Sequence, residues 1–177
     1  YGWTPKSHFR AAAIIRSMSY DNLTAHKTES EIGWGVLASA TFNVMNCLQV
    51  YGQGVYGKGI GQFLNDMSLL NVDVVPNPEK EGKMQVLPIM GWFAGMQYNF
   101  SPKVFITSTY GQSRLYSHDG YPTTPSEQYR YGQYLNATLF WNITSDLQVG
   151  AEYLRGWRTD FNGDTRHANR MNLAVQY

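Results

Sequence analysis

The chain has only one cysteine, Cys47, so no intrachain disulfide framework can shape it. Long apolar runs are missing too: the longest unbroken one, residues 11–15, falls far short of the roughly 18 residues a membrane-crossing helix needs. That excludes spanning by helices and leaves spanning by strands open. Charge is sparse and balanced, 14 Lys and Arg against 13 Asp and Glu in 177 residues, so no long-range attraction to nucleic acid is expected. No secretory signal opens the sequence, as expected of a mature chain or a fragment. His8, His26, His118 and His167 lie in separate segments without ligand spacing, and neither a metal nor another cofactor is expected. Residues 52–57 match G-x-G-x-x-G and 52–58 most of a phosphate-binding loop, but Gly59 stands where a hydroxyl residue should follow Lys58 and no helix pattern opens there. Asp160, Asn162 and Asp164 read as a turn rather than a calcium loop. No nucleophile elbow occurs, so enzymatic chemistry is not expected.

Rings are plentiful, with 13 Tyr, 8 Phe and 5 Trp, while mean hydropathy is negative. That combination suits a barrel whose strands alternate between lipid and a polar interior. Residues 129–157 carry the pattern most clearly. Tyr131, Leu135, Ala137, Leu139 and Trp141 share one parity, and Arg130, Asn136, Thr138 and Asn142 the other. Leu147, Val149, Ala151 and Tyr153 then oppose Gln148, Gly150 and Glu152 across a polar turn. Period two is the mark of strands with one apolar and one polar face. Each arm runs for about ten residues or more, the length of a tilted strand across a bilayer.

The same period recurs along the chain. Strands are expected at 8–20 and 32–45, from Leu48 onward, at 86–98, at 103–116, through the two arms of the hairpin, and over 169–177. The facing of 103–116 stays open, because both parities mix Tyr, Thr and Ser. Residues 21–31 are expected as a charged loop and 57–84 as the longest irregular segment, with the stretch 59–84 a candidate to enter the interior. The fold class is therefore all-β, an antiparallel up-and-down transmembrane barrel, with eight strands present and long connections alternating with short ones. Outward rings form two girdles, Phe42, Tyr98, Trp141 and Tyr177 beside the short turns and Trp34, Trp92, Tyr131 and Tyr153 at the other rim.

Within the strands, arginine outnumbers acid. Arg10, Arg16, Arg130, Arg158 and Arg170 share the parity of the polar face, and Glu152 is the acid set well inside a strand. Facing lipid at mid-depth, each arginine would cost about 2–4 kcal/mol, so the interior is where they are expected, as pore-lining residues. Guanidinium forks in a pore attract and bind carboxylates and phosphates. Pairing of these arginines with Glu152 and loop acids is the competing account.

Four stretches resemble the C-terminal half of the DcaP-type porins of Gram-negative outer membranes: YGKGIGQFLND at 56–66, GWFAGMQYNFSPK at 91–103, YLNATLFWNITSDLQVGAEYLRGWR at 134–158 and GDTRHANRMNLAVQY at 163–177. The resemblance implies a barrel of about sixteen strands, residence in the bacterial outer membrane among its lipid and lipopolysaccharide, a homotrimer, and diffusion of small anionic solutes, dicarboxylates among them. The alternative is a complete eight-stranded barrel with a filled interior, an envelope anchor, adhesin or small-ligand binder. Pairing of the strand at residue 8 with the strand ending at 177 would mark that second form.

Overall fold

The computed structural model describes residues 7–23, 25–123 and 126–177. In chain order its strands are β1 (His8–Asn22), β2 (Lys27–Met45), β3 (Leu48–Lys58), β4 (Val74–Pro76), β5 (Met84–Val86), β6 (Pro88–Asn99), β7 (Val104–Leu115), β8 (Tyr129–Asn142), β9 (Gln148–Asp160) and β10 (Thr165–Gln176). β4 and β5 form a small hairpin of their own. The other eight make one antiparallel sheet in the order β1-β2-β3-β6-β7-β8-β9-β10. Among the described residues there is no α-helix. Each strand pairs with the one before it, so the up-and-down order follows the chain. The sheet is not closed: β1 and β10 are both edges, and the closed eight-stranded barrel is thereby overturned.

Several boundaries depart from the sequence pattern. Residues 27–31, expected in a loop, continue β2, which runs for 19 residues. Cross-strand polar pairs hold that extension: Thr28 Oγ1 donates to Asp21 Oδ1 at 2.9 Å, and Tyr20 donates to Glu29 at 3.0 Å. At the far end of the sheet, Thr159 and Thr165 share a hydroxyl contact at 2.8 Å, and β10 starts at Thr165 rather than at 169. Two of the four connections at that rim, 23–26 and 161–164, are therefore tight, and only 59–87 and 116–128 are long. The strand expected at 86–98 begins at Pro88, because Leu87 turns into a core and makes the break.

Alternation gives the sheet two unlike faces. One, here the open face, carries Ile15, Val36, Met96, Leu139, Met171 and Leu173, all substantially exposed. Apolar surface spread over eight strands is far more than a water-facing sheet leaves uncovered. The pairing register also fixes the facing of β7, which its mixed sequence does not. Ile106 lies opposite Leu139 and Ser108 opposite Ala137, so Val104, Ile106, Ser108, Tyr110, Gln112 and Arg114 belong to the open face.

Rings bound this apolar band obliquely. Trp34 pairs with Lys58, but the ring on β3 is Tyr56, two residues nearer the short turns. The same two-residue step leads from Tyr56 to Trp92, from Trp92 to Tyr110 and, across β8, from Tyr110 to Tyr153. Trp34 meets Tyr56 edge-on at 5.9 Å and Trp92 meets Tyr110 at 5.6 Å. Eight residues at about 3.3 Å each, over five strand spacings of about 4.8 Å, set the girdle about 45° off the strand normal, close to the tilt of strands in a barrel. Tyr56 and Tyr110 thus join the expected rim. Tyr131 lies beyond it, paired with Arg114.

The other face bears the loop. Gly59, at φ +64°, turns the chain off β3, and its N–H donates to the carbonyl of Leu87 at 3.1 Å to close the loop base. Between them Ile60, Leu64, Met67, Val72 and Val75 are buried against Leu87, Ile89, Leu115 and Tyr129. Gly91 permits this approach, since a Cβ there would come within 2.5 Å of Leu64 Cδ2. The stretch expected to enter the interior does pack on the polar face, and it brings most of the core with it.

Candidate functional site

Around the docked loop the polar face gathers most of the chain's chemistry. Arg16 on β1 reaches the loop directly. Its Nη1 donates to Asp73 Oδ2 at 2.8 Å and to the Gly59 carbonyl at 3.2 Å, and its Nη2 donates to Gln62 at 3.2 Å. Asp73 also accepts the Gln62 N–H at 3.2 Å. This arginine is therefore a strut between wall and loop, partnered by an acid that lies in the irregular segment.

Arg158 on β9 is committed in a similar way, its Nε donating to the fully buried Asp160 at 2.7 Å. It also reaches the Glu127 carbonyl at 3.3 Å. Directly opposite on β10 stands Arg166. Its carboxylate contact, to Glu127, is a loose 3.9 Å on the exposed surface. Arg170 follows two rungs on in the same strand and on the same face, donating to Asn172 at 2.7 Å. Like charges placed opposite one another on paired strands destabilise a sheet unless something anionic lies between or beside them. Arg158 and Arg166, with Asp66, Tyr134, Leu154 and Ala168, line an open depression of about 560 Å³.

Asp66 enters this depression from the loop. Ser113 donates to its Oδ2, and the buried Tyr129 donates to the Ser113 carbonyl at 3.1 Å. A relay of loop acid, wall hydroxyl and phenol therefore fixes the loop on the side away from Arg16.

Glu152 does not pair with an arginine. It accepts from Asn172 at 2.6 Å, Thr138 at 3.1 Å and Asn136 at 3.3 Å, three neutral donors from the two flanking strands. Arg10 lies on β1 opposite Ser39, exposed on the loop-bearing face at a sheet edge. Arg130 departs from strict alternation. The register shifts between Tyr129 and Tyr131, so that Tyr129 pairs with Asp160 and turns inward while Arg130 is the inserted residue of a bulge. Its guanidinium lies 6.0 Å from the Tyr131 ring.

The structure thus places Arg158 and Arg170 on neighbouring strands and on one face, four register steps apart, with Glu152 two steps beyond Arg170. It sets Arg16 against the loop and leaves Arg10 and Arg130 apart. Two arginines outside the expected set, Arg155 and Arg166, also lie on β9 and β10. Arg166 sits in GDTRHANR ahead of the expected start of the last strand, so its parity went uncounted. Arg155 has the parity of Tyr153 and Trp157, and it lies on the open face 4.9 Å from the Trp157 ring.

Neither a protein-family model nor a curated protein sequence matches the chain. Its fold is similar to the crystal structure of the outer membrane channel DcaP of Acinetobacter baumannii, with a TM-score of 0.71 at 15% identity over 100% of this chain and 60% of that one. The chain accordingly spans less than two thirds of the channel's length. At that identity the likeness is one of fold, an antiparallel porin-like wall.

Proposed function

We propose that this chain forms part of the wall of an outer-membrane porin through which small anionic solutes, dicarboxylates among them, pass by diffusion. The observation that carries the reading is the loop 59–87, packed by its own apolar residues onto the polar face of a sheet whose other face is apolar and ringed by aromatics. A segment seated there narrows a lumen, and the same segment on the lipid side would have no use for Asp66 and Asp73. A bilayer does not tolerate free sheet edges, so β1 and β10 are completed by further strands in a barrel of about sixteen. In the assembled homotrimer each such barrel is a passive conduit rather than an enzyme. Arg166 and Arg170, the wall arginines with the weakest carboxylate engagement on β10, present guanidinium forks to carboxylates and phosphates in transit, and Arg10 adds charge at the opposite edge.

The test is charge reversal in the full-length protein. Planar bilayers under a salt gradient should show reversal potentials moving toward the cation limit in the Arg166→Glu, Arg170→Glu variant. Unchanged selectivity would sink the anion reading, and absence of conductance in the unaltered protein would sink the channel.

A further inference from the structure

The open face is not apolar throughout. Loopward of the ring girdle, β7 to β10 turn outward a surface of Gln112, Arg114, Gln133, Arg155, His167 and Asn169. No carboxylate shares the open-face parity anywhere on β6–β10, so the two arginines set the sign of the surface.

Both are laid against rings. The Arg114 guanidinium lies 5.1 Å from the Tyr116 ring and 5.7 Å from the Tyr131 ring, and its buried Nε finds no hydrogen-bond acceptor. Arg155 lies over Trp157. The rings attract each guanidinium by cation–π interaction while supplying no formal negative charge to neutralise it. Around them Gln133 donates to the Tyr110 hydroxyl at 2.6 Å and the Tyr153 hydroxyl donates to Asn169 at 2.8 Å, which ties the girdle to the belt.

Height narrows what can meet them. Arg155 is one two-residue step loopward of Tyr153, and Arg114 two such steps loopward of Tyr110. On strands tilted about 45° those steps are about 5 and 9 Å along the membrane normal. The polar headgroup zone outside the hydrocarbon is about 5–8 Å deep on each side, so the Arg155 backbone stands within it and that of Arg114 at its outer margin. Phosphate is the anionic group of that zone.

We propose that Arg114 and Arg155 hold the phosphate groups of an anionic phosphoglycolipid, of the lipopolysaccharide class, in the leaflet on the long-loop side. The inference rests on the lipid-facing reading of the open face. Each guanidinium presents its free N–H groups to a phosphate in a charge-assisted fork, while the acyl chains lie along the apolar band below the girdle.

The experiment uses the full-length protein in detergent, titrated with diphosphoryl lipid A or with dephosphorylated lipid A and read by native mass spectrometry. The unaltered protein should prefer the diphosphoryl form. Arg155→Gln should weaken that binding about fivefold, and Arg114→Gln with Arg155→Gln about twenty-fivefold. Lys103→Gln, exposed at the short-turn rim, should change nothing. Should the double variant lose its folded electrophoretic mobility, Arg155→Gln carries the test alone, because that side chain is exposed. Equal binding of the dephosphorylated lipid, or undiminished affinity in Arg155→Gln, overturns the proposal. So does a change of oligomer mass without a change of lipid affinity, which would assign the belt to a neighbouring copy. Lipid preference in a protein that fails to conduct would overturn the channel reading and leave the belt standing.

Discussion

The two faces of this sheet are made by the same strands, residue beside residue, yet they satisfy their side chains against different surroundings. On the open face, Ile15, Met171 and Leu173 are each at least 80% exposed and touch no core. On the loop-bearing face, Leu87, Ile89 and Leu115 are at most 1% exposed, under a loop that the same chain supplies. A sheet in water hides one face and wets the other. Here the apolar face is the uncovered one and the polar face is the packed one, an inversion that the proposed membrane wall, with hydrocarbon over the first, would account for.

Cutting into the packed face should cost most. Leu87 is wholly enclosed where the loop rejoins the wall, and Leu87→Ala should lower the unfolding free energy of the full-length protein by about 2–5 kcal/mol through lost burial and the cavity left behind. Denaturant titration in lipid vesicles measures it. A loss below about 1 kcal/mol would mean that the loop is not seated as described.

The next effect separates the faces directly. Leu139 is outward and Thr107 inward on adjacent strands, one register step apart. Leu139→Arg should cost about 2–4 kcal/mol in the same vesicles, because it pushes a charge into hydrocarbon. Thr107→Arg should stay within about 0.5 kcal/mol, since it points to a polar interior. Equal costs would abolish the distinction between the faces.

Much of this was legible in the sequence where alternation is strict. β6, β9, β2 from residue 32 onward and β8 beyond its bulge sort their apolar and polar residues so cleanly that face follows from parity alone. β7 was not legible, because Tyr, Thr and Ser suit a girdle or a lumen equally well, and only pairing with Leu139 and Ala137 decides. The bulge at Arg130 was hidden for a related reason: an inserted residue shifts parity without changing composition. The loop core escaped because Ile60, Leu64, Met67, Val72 and Val75 follow no strand period; they are ordered by the wall they meet. Of the expected pore-lining set, Arg158 and Arg170 share the face with Arg166, whereas the acids that engage Arg16 and Arg158 came from a loop and a strand end that periodicity does not weigh. Glu152, which the competing account paired with arginine, takes its hydrogen bonds from amides and a hydroxyl.

The smallest expected effect lies beyond the apolar band, where the tip of the loop meets the extended β1–β2 hairpin. Lys83 bonds Glu29 at 2.5 Å, Lys27 lies 2.9 Å from the same carboxylate, and Tyr20 bonds it and also accepts the Met84 N–H at 3.2 Å. The Lys83 and Lys27 ammonium groups, with the Tyr20 hydroxyl, hold the Glu29 carboxyl down at about 2, against an ordinary 4.5. The same contact raises Lys83 above 10.5. A depressed acid stabilises the folded state fully above its unfolded value and loses that contribution as pH falls through the folded one. Docking of the β4–β5 tip should therefore be firm from near neutrality down to about pH 4.5 and loosen progressively toward about pH 2. The raised lysine sets the alkaline limit, with its contribution lost as pH climbs past 10.5. A spin label at position 81, placed by Glu81→Cys with Cys47→Ser, reports the tip. Its mobility should rise across the acid window in this background, while adding Glu29→Gln should give a mobile label at pH 7 and a flat profile. A label equally immobile at pH 7 and pH 2.5 would show that the loop is fastened by its buried residues, by Arg16–Asp73 and by Asp66–Ser113, with the hairpin extension taking no part.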